Sequence, residues 1–210
     1  MCCFGGFDQL NMTAKEFGAR MRELGLKFIG NHFTRQMFSG SYDEAFAYIA
    51  EAGGKYAMYN IWADYNTEDD VSSAAEFLNS LAAIARREGL SLLYHNHDAE
   101  FADMNGRLII DRLFDELDSN VYHEADVFFM KKQGIDVYGY LKEHAERVRA
   151  VHLKQISDMG RNVDLADGIL DMAKIIRCTP YATDYIVEQA EFDVSIRESL
   201  KRNAEFMKKL

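Results

Sequence analysis

The sequence predicts an α/β fold: a parallel (β/α)8-type barrel, N-terminally shortened to about six βα units. Three observations predict it. Short apolar runs alternate with helix-length segments along the chain, the pattern of a parallel sheet. Four of those runs (92–97, 121–126, 148–152 and 185–188) end in residues that can hold a metal. Strand starts fall near positions 27, 56, 91, 121, 148 and 185. The mean step is about 32 residues, close to one-eighth of the roughly 250 typical of an eightfold barrel. A full barrel would take about two more βα steps ahead of Met1. Residues 1–210 read as a single domain, with no linker, low-complexity tract or internal repeat. A shortened barrel has raw strand edges, which invite pairing with a second copy of the chain.

Each element has its own signal. Thr13-Ala14-Lys15-Glu16 is a capping box, with Met12 and Phe17 placed as a hydrophobic staple. That helix runs to Leu24 and stops at Gly25. A strand follows at 26–30. Ser41-Tyr42-Asp43-Glu44 repeats the start signal, Phe46, Ile49 and Ala50 share one face, and Gly53-Gly54 ends the helix. After a strand at 56–61, Thr67 opens a helix with Val71, Ala74, Leu78, Leu81 and Ala85 at helical spacing, ending at Gly89. Helices are also predicted at 111–117, 137–144, 169–176 and 195–208, between and after the remaining strands. The single proline, Pro180, sits in the turn before the last strand.

Bulk composition narrows the function. Hydrophobic residues make up 48% and charged residues 28% of the 210, an ordinary globular balance. No apolar run approaches the roughly 18 residues that span a bilayer. The first six residues have neither a basic start nor an apolar core, so they do not read as a signal peptide. Three cysteines (Cys2, Cys3 and Cys178) lack zinc spacing and read as free thiols of a cytoplasmic protein. Net charge is −10, from 34 acids against 24 bases. The basic pairs Arg86-Arg87 and Lys131-Lys132 are short and ringed by acids, which argues against nucleic acid as a partner.

In a parallel barrel the C-terminal strand ends open onto one face, so residues distant in sequence converge there. Two histidines, an aspartate and a glutamate meeting at that mouth make a divalent-metal site. Strand alternation points His95 and His97 the same way and Asn96 opposite. One or both serve metal or substrate; otherwise one is packed and the other solvated. Asp126 sits inside an apolar run, so it is a ligand, a buried ion-pair member or a misplaced strand end. Glu124 shares its face, and His123 takes the other. His152 ends its strand, with Lys154 on the same face. Lys154 either stabilises negative charge developing on a substrate oxygen or bridges to a helix carboxylate. Glu188 is a buried acid at the end of its run, and such acids are paired or functional. His32 and Trp62 follow the first two strands and face the same mouth. There His32 touches substrate and Trp62 walls a sugar ring, or both are plain packing.

The motifs resemble a known family. Tyr94-His95-Asn96-His97-Asp98-Ala99-Glu100-Phe101, Glu124-Ala125-Asp126-Val127-Phe128, Val151-His152-Leu153-Lys154, Gly168-Ile169-Leu170-Asp171 and Val187-Glu188-Gln189 occur in order. Together they resemble the sugar phosphate isomerase/epimerase family, whose xylose isomerase-like barrel is also related to endonuclease IV. The resemblance spans essentially the whole chain. It implies a divalent ion (Mn, Mg, Co or Zn) held by His95 or its neighbour His97, Asp126, His152 and Glu188. Glu188 would double as the proton shuttle, Lys154 would steady the enediolate, and His32, Trp62 and His97 would meet the substrate. Family members often carry Glu at the place of His95, Trp at Phe129 and Asp at Gln155.

The activity expected from the resemblance is a metal-dependent isomerase or epimerase of a small keto-sugar or sugar phosphate, working through an enediolate. Two alternatives stay open: a sugar dehydratase or lyase using the same enolate, and a non-catalytic shortened barrel. An endonuclease IV-like activity would need further ligands and a basic cleft, which the net charge opposes.

Overall fold

A computed structural model describes residues 11–34, 38, 40–61 and 65–210. The chain divides into two compact units, one comprising residues 1–95 and 103–122, the other 96–102 and 123–210. Cys2, Cys3 and Trp62 lie outside the described residues.

The first unit alternates helix and strand from its start. Helix α1 (Ala14–Glu23) opens on the expected capping box: the Thr13 hydroxyl accepts from the Glu16 N–H, and the Glu16 carboxylate accepts from the Thr13 N–H at 2.8 Å. Gly25, at φ +66°, takes the left-handed turn that ends it. Strand β1 spans Gly30–Thr34, not 26–30 as the apolar run suggested. In the run before it the Ile29 carbonyl accepts from the Lys55 and Tyr56 N–H groups, but the regular ladder begins only at Gly30, opposite Tyr56. Here the backbones come so close that a Cβ on residue 30 would lie 2.1 Å from the Tyr56 carbonyl oxygen. Helix α2 (Tyr42–Glu51) leads to β2 (Tyr56–Asn60), and α3 (Glu68–Arg87) leads to β3 (Ser91–His95). The three strands pair in parallel. Every residue of β2 is buried, as befits a strand covered on both faces. The predicted stripe of α3 is buried in full, from Val71 to Ala85. A small hairpin turns at Asn105-Gly106, both at positive φ, and α4 (Ile109–Glu116) follows.

Strand β4 (Val121–Asp126) carries the chain into the second unit. There it pairs in parallel with β5 (Val148–Leu153), which pairs in parallel with β6 (Asp184–Val187). The helices are α5 (Val127–Lys132), α6 (Val137–Glu143), α7 (Met172–Cys178) and α8 (Ile196–Met207). The apolar stretch Val127-Phe128-Phe129, for which the sequence reading predicts no helix, forms α5, because the Asp126 carboxylate caps it from the strand's last residue. Helix α7 starts three residues later than predicted, where the Asp171 side chain accepts from the Lys174 N–H. The Gln155 side chain clasps the loop before it. Its amide donates to the Leu165 and Leu170 carbonyls and accepts from the Leu170 N–H. Gly168 makes room: a Cβ there would lie 2.3 Å from Gln155 Cγ. Among the described residues no helix is long and apolar enough to cross a membrane.

Gly30→Ala tests the close approach of β1 to β2. Overpacking of this kind costs about 1–3 kcal/mol, read as a lowered urea midpoint; an unchanged midpoint would refute the tight pairing.

Candidate metal centre

Strand register in the second unit brings five polar side chains to one face. Asp126 stands opposite His152 in the β4–β5 ladder, and His152 opposite Ile186 in the β5–β6 ladder. Side chains two apart share a face. Glu124 therefore joins Asp126, while Lys154 and Glu188, each one residue past its strand, are brought there by contact: Glu188 bonds to both His152 and Lys154. Glu124 and Asp126 are fully buried, and His152 and Lys154 nearly so. Glu188 remains the accessible member, its side chain 38% exposed.

Three carboxylates buried together require compensation, because an uncompensated charge in a low-dielectric interior is costly. His152 supplies part of it. Its Nδ1 lies 2.6 Å from a Glu188 oxygen and its Nε2 3.0 Å from a Glu124 oxygen. Burial pulls the His152 pKa down, but the two carboxylates overcome it and raise it to about 10. Lys154 supplies a second part, its Nζ donating to Glu188 at 2.7 Å and standing 3.9 Å from Asp126 Oδ2. The ammonium also lies 4.8 Å from the Phe129 ring centroid and 5.4 Å from that of Phe128. Burial would raise Glu188, yet His152 and Lys154 hold it well below the usual carboxylate range. Asp126 goes the other way. Burial, opposed by His152 and Lys154, pushes it up to about 7.

Asp126 spends its two oxygens differently. Its Oδ1 accepts from the Phe128 and Phe129 N–H groups at the start of α5. Its Oδ2 is buried with no hydrogen-bond partner among the described residues. One ligand atom each from Asp126, His152 and Glu188 lie within 4.8 Å of one another. These donors suit a divalent ion such as zinc or manganese. With His152 neutral, Lys154 and a divalent ion would balance the three carboxylates.

The other predicted residues are placed as follows. His95 closes β3, is buried, and stacks edge-on against His32, which lies inside β1 rather than beyond its end. His97 does not continue the alternation of His95, because β3 has already ended. Its N–H donates to Glu100, and its half-buried ring meets Phe129 edge-on at 5.0 Å. Trp62 lies outside the described residues. His123, on the opposite face, is buried, and desolvation drives its pKa down to about 3. Asn96 was assigned only a face by sequence reasoning, yet its side chain is fully buried and bonded to Asp126. The one signal for it was an amide at a strand end between two histidines.

No family model matches the chain. The inosose dehydratase of Clostridium perfringens is 35% identical over 104 residues, which cover 49% of this chain and 32% of that protein. The match therefore spans about a third of that relative's length. Among solved structures, a sugar phosphate isomerase/epimerase from Parabacteroides distasonis superposes with a TM-score of 0.79 at 22% identity, covering 92% of this chain and 80% of that one. The IOLI protein, solved with a zinc atom, gives 0.73 at 10% identity over 96% and 82% of the two chains. The structural neighbours are sugar phosphate isomerase/epimerase and xylose isomerase-like proteins, and the chain has their α/β fold, as the sequence predicted.

Replacing Lys154 by Met removes the compensating ammonium. The expected loss of stability in metal-free buffer is about 2 kcal/mol, below the roughly 3–5 of a fully buried pair because Glu188 is partly exposed. Chemical denaturation measures it, and no loss would mean that Lys154 does not balance the cluster.

Proposed function

We propose that the chain carries the metal centre of a sugar-converting enzyme that moves a proton at a carbon beside a carbonyl. The observation that carries this reading is the Asp126–His152–Glu188 cluster, two members buried and Glu188 accessible, with one Asp126 oxygen lacking a hydrogen-bond partner among the described residues. The zinc-bearing IOLI neighbour supports a divalent ion, and the sugar-acting names of the neighbours support the substrate class. Asp126, His152 and Glu188 are the ligands on this reading, and the motif resemblance adds His95. When bound, the ion supplies Lewis-acid polarisation of a carbonyl and its neighbouring hydroxyl.

The chain's own residues do the rest. Glu188, the exposed carboxylate of the set, is the group substrate reaches, and it takes and returns the proton. Lys154, held against Phe128 and Phe129 with little water around it, places its charge where the enediolate oxygen develops. His97 and Phe129 offer a ring edge and face to the substrate; His32 and Trp62 remain proposed substrate contacts on the resemblance alone. The product follows from what the enolate does next. Reprotonation gives an isomerase or epimerase acting on a small keto-sugar or its phosphate, the first reading. Loss of a neighbouring hydroxyl gives a dehydratase, a second reading favoured by the Clostridium perfringens relative.

Both readings share a test. Chelation should stop turnover of candidate keto-sugars and of inosose, and added Mn²⁺, Co²⁺ or Zn²⁺ should restore it. Glu188→Gln should lower turnover by roughly 10²–10⁴, the usual worth of acid–base transfer, with the circular dichroism spectrum unchanged. Deuterium uptake from D2O without loss of water marks the isomerase, and loss of water marks the dehydratase. Unimpaired exchange in Glu188→Gln would remove Glu188 from the proton path. Failure of the purified protein to bind any divalent ion would favour a non-catalytic role.

A further inference from the structure

Asn96 is a buried amide whose hydrogen-bonding capacity is fully spent within the second unit. Its Oδ1 accepts from the Asp126 N–H at 2.9 Å and lies 2.8 Å from His123 Nε2. Its Nδ2 donates to the Asp126 and His97 carbonyls, both at 3.3 Å. A backbone N–H can only donate and a carbonyl can only accept, so the orientation of the amide is determined. His123 must then donate through Nε2. Buried and neutral, it carries its single ring proton there.

Both peptide groups flanking the Asp126 α-carbon are therefore clasped by one side chain. The direction of the Asp126 Cα–Cβ bond is set from the main chain by Asn96. The rotation of the carboxylate is set by the Phe128 and Phe129 N–H groups on Oδ1. Oδ2 is what remains, delivered into the cluster without a hydrogen bond.

We propose that Asn96 is a positioning residue for the metal centre, aiming Asp126 Oδ2 at the cation; this rests on the metal-dependent reading above. Ligating carboxylates are held by surrounding hydrogen bonds, and losing such a partner weakens metal affinity by about 10–100-fold. Aspartate at position 96 has the same shape and still accepts from the Asp126 N–H and His123. It loses both donors and sets a carboxylate against two carbonyl oxygens. Alanine would leave all four partners unmatched, so Asn96→Asp is the cleaner change.

The experiment is calorimetric titration of the chelator-treated full chain with Mn²⁺, alongside thermal denaturation. Asn96→Asp is expected to bind Mn²⁺ about 10–100-fold more weakly than the unaltered chain. The comparator is Asn79→Ala. Asn79 makes a similar clasp in the first unit, donating to the Glu116 carbonyl and accepting from the Asp118 N–H. Its loss should lower the melting temperature and leave Mn²⁺ affinity unchanged. Nitrogen-15 spectra should show the His123 ring protonated at Nε2 alone. Should Asn96→Asp fail to fold, Asn96→Ser, which keeps one donor and one acceptor, serves in its place. Unaltered Mn²⁺ affinity in the folded Asn96 variant, with Asp126→Asn impaired, would overturn the positioning role and leave the metal reading standing. Equal weakening in Asn79→Ala would reduce the effect to general destabilisation and also overturn it. No Mn²⁺ binding by the unaltered chain, or no effect of Asp126→Asn, would bring down the metal reading and this proposal together.

Discussion

Everything around the candidate centre follows from placing three carboxylates on one buried face of three parallel strands. Strand alternation leaves no choice of direction. Once Asp126 pairs with His152 in register, Glu124, Asp126 and His152 must point the same way, and Lys154 and Glu188, one residue past their strands, close on them through hydrogen bonds. Carboxylates so placed repel one another in a medium that screens poorly. The chain answers with an imidazole held between two of them and an ammonium bonded to the exposed one. Two cations offset three carboxylates only in part, and one Asp126 oxygen is buried with no hydrogen-bond partner among the described residues, which a site built only for stability would have no reason to do.

The same unit relies on buried polar groups away from the centre. Asp164 is buried beside Ser199 and Gln189, and Asn203 bonds both Gln189 and the Leu165 N–H. Helix α8 thus docks through Ser199 and Asn203, its only buried residues, while Ile196 and Leu200 face outward. Such contacts are directional, so they fix the path of the chain after Glu188 more narrowly than apolar packing would. Gln189, the residue after Glu188, belongs to this network. The position of the exposed carboxylate is therefore tied to α8 through hydrogen bonds.

Much of this was legible in the sequence because the governing signals are local. Capping at Thr13 and Ser41 and the apolar stripe of α3 start and place their helices as read, since caps and periodicity act within a few residues. Fold class followed from the alternation of such elements. The errors fall where a tertiary contact decides. β1 begins at Gly30, where its ladder with β2 starts opposite Tyr56, and that partner lies 26 positions away, which no local pattern reveals. His97 left the strand because pairing stopped at His95. The apolar run after Asp126 became a helix because one carboxylate both closes β4 and caps α5. Asn96 was the least legible of all, since its importance lies in partners 27 and 30 positions away.

The chemistry open to the centre is limited by the same charges that assemble it. A carboxylate bonded to an ammonium and an imidazole is a weak base until one of those partners moves. Lys154 is the partner free to do so: it has a flexible stem, rests on two aromatic faces and lies beside the solvent-exposed edge of Glu188. A substrate oxygen that drew the ammonium toward itself would release basicity on Glu188 as it gained stabilisation for the charge that proton removal creates. Electrophile and base would thus be activated by one displacement. On the proposed reading that coupling would precede the enolate, and it would be the same whether the enolate were then reprotonated or lost a hydroxyl.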